Sequence, residues 1–181
     1  MPMMKRDRKA EEKIVDVLLE NVGQKLYMSQ IAKNAGTAVT TTHQVLERGV
    51  REDFIQREKL GNLSLYSLSP QDALVKQMKI KRTIEILRPI IEKLKEFSQK
   101  IILFGSAACG EDRKESDLDL FVLSDDKQEA ERIVSGANIG RKIQLVVKNF
   151  LEWTQVKKKD KFFYEEVRKG IVFWEEKDER I

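Results

Sequence analysis

The sequence predicts an α+β protein of two folded units joined by one long helix. Three observations predict it. Residues 9–69 carry short helical stretches followed by two strand-like runs around a Gly-Asn turn. Residues 70–98 repeat apolar side chains at helical spacing. Residues 99–181 alternate short apolar runs with capped helical segments, the pattern of a small α/β domain with a mixed sheet. The expected boundaries are therefore 1–69, 70–98 and 99–181.

In the first unit, Met1 to Arg8 reads as a frayed basic start, and Lys9 to Asn21 as an amphipathic helix with Ile14, Val17 and Leu18 on one face. Gly23 ends it. Ser29 to Asn34 forms a second short helix, closed by Ala35-Gly36. Thr37 stands where an N-cap belongs, ahead of a third helix from Ala38 to Arg48. Val39, Val45, Leu46 and Val50 are its candidate core positions. Phe54 to Lys59 and Leu63 to Leu68 flank Gly61-Asn62 as a β-hairpin. Ser69-Pro70 marks the boundary.

From Pro70 to Ser98 a single long helix is expected, kinked or divided at Pro89. It is either a connector packed on both neighbours or a dimer-forming helix. The first hundred residues hold 19 Lys/Arg against 13 Asp/Glu, so the basic excess behind the net charge of +4 lies there.

Composition narrows the class. With 41% hydrophobic and 35% charged residues the chain can bury cores beneath a heavily charged surface. The single Cys109 excludes an internal disulfide and fits a reducing compartment. There is no signal-peptide pattern and no apolar span of membrane length. A cytoplasmic protein without membrane association is expected.

The chemistry concentrates between Ile101 and Leu123. Ile101 to Phe104 reads as a buried strand, followed by Gly105-Ser106, a polar loop, and a second strand in which Leu118, Leu120 and Val122 alternate with Asp117 and Asp119. Alternate residues share one face of a strand, so the two carboxylates lie close together. Their repulsion invites a proton or a cation, and a hard divalent ion such as magnesium suits paired oxygens. A glycine after a strand lets backbone approach a ligand closely, and N–H groups in such a turn hold phosphate. Downstream, Asp126 to Ser135 reads as a helix and Ile143 to Val147 as a third buried strand. Asn149 with Glu152 forms a capping box for Phe150 to Val156. Asp160 caps Lys161 to Lys169, closed by Gly170, and Ile171 to Trp174 is a last strand before an acidic tail.

Gly105-Ser106, ten residues, then Asp117-Leu118-Asp119 resembles the signature of the polymerase-β-like nucleotidyltransferase superfamily, in particular its minimal branch. The resemblance covers about residues 100–175. It implies that Asp117 and Asp119 bind magnesium and serve catalysis, and that Gly105 and Ser106 contact the phosphates of a nucleoside triphosphate. It also implies a third carboxylate on the next central strand, where this sequence has Gln144. An amide is a weaker metal ligand and no base at neutral pH. Asp125, Asp126 and Glu152 are the candidates for a replacement. The loop after Gly-Ser often carries a phosphate-binding arginine in this family, and here it reads Ala107-Ala108-Cys109; Arg113 or Lys114 could substitute. Cys109 itself is read as a bystander. Lys157 to Lys159 is a solvated helix end or a phosphate attractor.

Residues 9–69 resemble a winged helix-turn-helix domain. That resemblance implies Thr40, Thr41, His43 and Gln44 facing a DNA major groove, with Arg48, Arg51, Arg57 and Lys59 meeting phosphates. The alternative is a winged domain that binds protein or dimerises.

Two functions follow. The first is transfer of a nucleoside monophosphate from a magnesium-bound triphosphate to a hydroxyl on a protein, nucleic acid or small molecule. Some minimal nucleotidyltransferases adenylylate a HEPN-type toxin, which makes a toxin-type protein partner one expectation. The second is a dimeric regulator of double-stranded DNA whose carboxyl-terminal domain binds nucleotide or mediates assembly.

Overall fold

The computed structural model describes residues 5–176. The expected frayed start lies partly outside them, and the acidic tail mostly so. The chain divides into two compact units, Met1–Met78 and Lys79–Ile181.

The first unit runs α1 (Lys5–Glu20), β1 (Leu26–Tyr27), α2 (Met28–Ala35), α3 (Val39–Arg51), β2 (Gln56–Leu60) and β3 (Leu63–Ser67). Its core is built from Ile14, Val17, Leu18 and Leu19 of α1, Ile31 and Ala35 of α2, and Val45 and Leu46 of α3, closed by Ile55, Tyr66 and Leu68. The turn between α2 and α3 requires Gly36, whose left-handed backbone (φ 61°) lets its N–H return to the carbonyls of Ala32 and Lys33. β2 and β3 pair antiparallel about Gly61-Asn62, with Leu60 opposite Leu63. The two-residue β1 adds to the other side of β3, Leu26 opposite Tyr66.

Two expectations fail on α3. Its N-cap is Ala38, with no side-chain cap. Thr37 instead shares a 2.9 Å hydrogen bond between its hydroxyl and that of Thr42. The second concerns Val39, which is 53% exposed, while Thr42 is fully buried and donates to the carbonyl of Ala38 at 3.0 Å. The inward face is Thr42, Val45, Leu46 and Gly49; Val39 lies one turn earlier, past the edge of the core.

α4 (Ala73–Leu94) is capped by Asp72, whose carboxylate accepts from the N–H groups of Leu74 and Val75. Pro89 does not divide it. Leu87, Ile90, Ile91 and Leu94 on both sides of the proline are anchored in one core, which keeps the helix going past the missing hydrogen bond.

The second unit continues with β4 (Lys100–Phe104), α5 (Gly105–Ala108), β5 (Leu118–Leu123), α6 (Lys127–Ser135), β6 (Ile143–Lys148), α7 (Phe150–Lys159), α8 (Lys161–Arg168) and β7 (Ile171–Glu175). The sheet order is β6-β5-β4-β7. β5 and β6 run parallel, while β4 is antiparallel to both β5 and β7. Side-chain alternation covers both faces. Ile101, Leu103, Leu118, Leu120 and Val122 pack with α4 and α6. Ile102, Phe104, Phe121 and Leu123 pack with Trp153 of α7 and with Phe163 and Val167 of α8. β6, expected as a buried strand, is a sheet edge on which only Val147 is buried. The expected caps are in place: Asn149 and Glu152 form a reciprocal capping box, Asp126 accepts from the Glu129 N–H, and Asp160 accepts from the Phe163 N–H.

Candidate functional site

The site forms where β4 ends and β5 begins. Antiparallel pairing sets Asp119 opposite Phe104, the residue before Gly105. Gly105 has φ 69°, which a side chain would strain, and a Cβ there would overlap the Asp119 carboxylate. The glycine therefore admits Asp119 against the backbone. Ser106 follows it and is exposed. Asp119 lies on the sheet face that carries Phe121 and Leu123 farther along β5. Burial, and then the charge of Asp117, push its carboxyl pKa above the ordinary aspartate range.

β6 supplies the neighbours. Its parallel register sets Gln144 beside Asp119, and Gln144 is exposed. The position that faces Asp119 is thus neutral. Just before β6, Lys142 reaches Asp117 with Nζ 3.0 Å from Oδ2. That contact escaped sequence reasoning because it depends on the register of β5 against β6. The run Arg141-Lys142 directly before the strand was the available signal.

The loop between Gly105-Ser106 and Asp117 is held by a buried carboxylate that sequence reasoning also missed. Asp112 pairs with Lys79 at 3.1 Å and with Arg141 at 2.7 Å. Lys79 also donates to the carbonyls of Gly110 and Asp112, and Arg141 to the carbonyl of Ser116 at 2.7 Å. Arg141 thereby grips the residue next to Asp117. Asp112 is separated from Lys79 by 33 residues and from Arg141 by 29, so nothing local announces the cluster.

The proposed replacement carboxylates are at the wrong end of the sheet. Asp125 lies six residues beyond Asp119, about 20 Å along a strand. Asp126 is engaged at the start of α6, and Glu152 in the capping box after β6. Arg113 and Lys114 are exposed on the loop. Among the described residues no group of three or more His, Cys, Asp or Glu could surround a metal ion. Among the described residues, Asp117 and Asp119 are the carboxylates at the strand ends, and oxygens of that kind suit a magnesium ion.

In the first unit, Thr40, His43 and Gln44 are exposed along α3, and Thr41 is half-buried. Lys59 is exposed on β2 and Arg51 at the end of α3. Arg48 is held by Glu11 at 3.1 Å, and Arg57 by Glu47 at 2.7 Å.

The family model described as polymerase beta, nucleotidyltransferase, matches residues 85–179, just over half of the chain. The chain belongs to that nucleotidyltransferase family. Its matched segment takes in the last part of α4 and every strand of the second unit. No curated protein is significantly similar. Among solved structures, Pseudomonas aeruginosa HmgR is similar over 56% of this chain and 42% of its own, at 17% identity and a TM-score of 0.38. The chain spans less than half of that structure, and a likeness of that size fixes neither fold nor function. Among the described residues of this nucleotidyltransferase-family chain, no helix is long and apolar enough to cross a membrane.

Proposed function

We propose that this protein is a DNA-binding regulator whose nucleotidyltransferase-family unit binds a nucleoside triphosphate without transferring it. One observation carries the reading: the residue in register with Asp119 is Gln144. Transfer needs a group that takes the proton from the attacking hydroxyl, and an amide cannot. Binding needs less. Gly105 seats the Asp119 carboxylate against the backbone, Ser106 presents an exposed hydroxyl next to it, and Asp117 with Asp119 would hold one magnesium ion. Bound there, magnesium would neutralise phosphate charge.

The DNA-binding half of the proposal rests on α3. It leaves Thr40, His43 and Gln44 exposed on one helix, with Lys59 on the hairpin. Short polar side chains near the start of such a helix suit base edges, and lysine suits phosphate. Arg48 contributes through Glu11, as a support for α3, and not as a free phosphate contact.

The deciding experiment is a calorimetric titration of ATP and the other triphosphates with magnesium, on wild type and Asp117→Asn. It is run beside a labelled-nucleotide transfer assay. Binding that requires Asp117, without transfer, supports the proposal; transfer by the wild type overturns it. For DNA, selected duplexes bind with an affinity that falls steeply with salt and falls again in Gln44→Ala. Absence of binding at low salt refutes that half.

The contact between Gly105 and Asp119 favours a second reading, an active transferase. It holds the Asp119 carboxylate beside the Gly105-Ser106 turn, where a bound triphosphate would meet it. Under that reading Asp119→Asn abolishes transfer without unfolding the protein.

A further inference from the structure

We infer that Lys142 is the phosphate-binding cation of this site, standing in for a metal ion and allowing triphosphate to bind without a divalent cation. The inference rests on the proposal that the site takes a triphosphate. Its starting point is the ion pair between Lys142 and Asp117, 3.0 Å long, in which the lysine side chain is 76% exposed and the aspartate 32%. Such an exposed pair is weak and easily exchanged, so the ammonium is free to leave the carboxylate for a stronger anion. A phosphate is that anion, because each of its oxygens carries more charge and accepts more hydrogen bonds.

Two neighbouring cations are otherwise engaged, and Arg113 and Lys114 stand exposed on the loop with no ion pair to Asp117 or Asp119 among the described residues. Arg141 is committed to Asp112 and the carbonyl of Ser116, and Lys79 to Asp112 and the carbonyls of Gly110 and Asp112. Ala107, Ala108 and Cys109 after Gly105-Ser106 bring no charge. Lys142 is the cation that the fold sets against the aspartate pair. Gln144 completes the argument. Asp117, Asp119 and Lys142 together carry a formal charge of −1, with Gln144 adding none. A site so nearly neutral attracts a free divalent ion weakly and repels a triphosphate little.

The test is ATP titration in excess EDTA and again with magnesium, on wild type, Lys142→Gln, Lys142→Arg and Lys127→Gln. Lys127 is exposed at the start of α6 and serves as a control for loss of surface charge. Manganese binding without nucleotide is measured in parallel by electron paramagnetic resonance. The expected result is ATP binding by wild type in EDTA, weakened roughly tenfold in Lys142→Gln and restored in Lys142→Arg. Lys127→Gln matches wild type. Lys142→Gln also binds free manganese about threefold more tightly, because Asp117 has lost its competitor. Equal ATP affinity in wild type and Lys142→Gln overturns the role of Lys142 and leaves the triphosphate reading standing. Binding by wild type only with magnesium overturns it in the same way. No ATP binding under any condition overturns both.

Discussion

Asp112→Ala tests whether the site loop is fastened by buried charge. The Asp112 side chain is 5% exposed, and its partners Lys79 and Arg141 are 12% and 18% exposed. Removing the carboxylate leaves two cations facing each other with little water, and breaking a buried pair this way costs about 3–5 kcal/mol. Both cations keep backbone carbonyl partners, and Arg141 retains some solvent. That lowers the expected loss to about 2–3 kcal/mol. In a unit of roughly 100 residues it corresponds to a fall in melting temperature of about 10–15 °C. Urea unfolding followed by tryptophan fluorescence isolates the effect, because both tryptophans, Trp153 and Trp174, lie in the second unit. Asp112→Asn fails by a similar margin, since it keeps the shape and loses the charge. A loss below about 0.5 kcal/mol in Asp112→Ala refutes the reasoning, because it places the cluster among ordinary surface pairs.

Three further outcomes are expected. Gly105→Ala costs about 1–2 kcal/mol of stability for its left-handed backbone, and it displaces the Asp119 carboxylate; a calorimetric titration then detects no ATP binding. Asp119→Asn stabilises the protein at neutral pH. A raised carboxyl pKa means that the folded state binds more protons than the unfolded one between the ordinary and the raised value, so stability falls as pH rises through that interval; the advantage of the variant, measured by urea unfolding across pH, closes at acid pH. Thr42→Val costs about 1 kcal/mol in the first unit, seen by circular dichroism during urea unfolding, because it removes the bonds to Ala38 and Thr37 from a fully buried position.

What was legible in the sequence was what depends on local spacing. The caps at Asn149 and Asp160 and the hairpin about Gly61-Asn62 follow from residue types a few positions apart. The nearness of Asp117 to Asp119 follows from the two-residue period of a strand, whereas Gln144 stands out through the family resemblance and not through local spacing. What was not legible depends on distant segments meeting. β1 is two residues long, too short to show any period, and exists because β3 is there to pair with it. Lys142 meets Asp117, and Lys79 meets Asp112, only after the sheet has set its register and the part of α4 from Lys79 onward has packed within the second unit. Val39 shows the limit of periodicity itself: helical spacing gives the direction of a side chain but not where the core ends.

The amide at Gln144 and the ion pair at Asp117 bear on one electrostatic balance. Both lie at the start of β6, and both act on the same carboxylate pair. A third carboxylate there would give the strand ends a charge that demands cations before an anionic triphosphate could enter. With Gln144 neutral and Lys142 present, most of that demand is already met by the chain itself. Under the proposed function the cost falls on chemistry, because an amide cannot take the proton from an acceptor hydroxyl. On the inference for Lys142, the benefit falls on holding a phosphate, because an exposed ammonium can exchange Asp117 for the ligand. This coupling sets the outcome for Gln144→Asp. The substitution restores an acidic neighbour to Asp119 and raises the need for a divalent ion, so ATP binding in EDTA weakens while binding with magnesium is kept, as paired titrations will show. If ATP affinity in EDTA is the same with Asp and Gln at this position, the two features are independent, and Gln144 bears on catalysis alone.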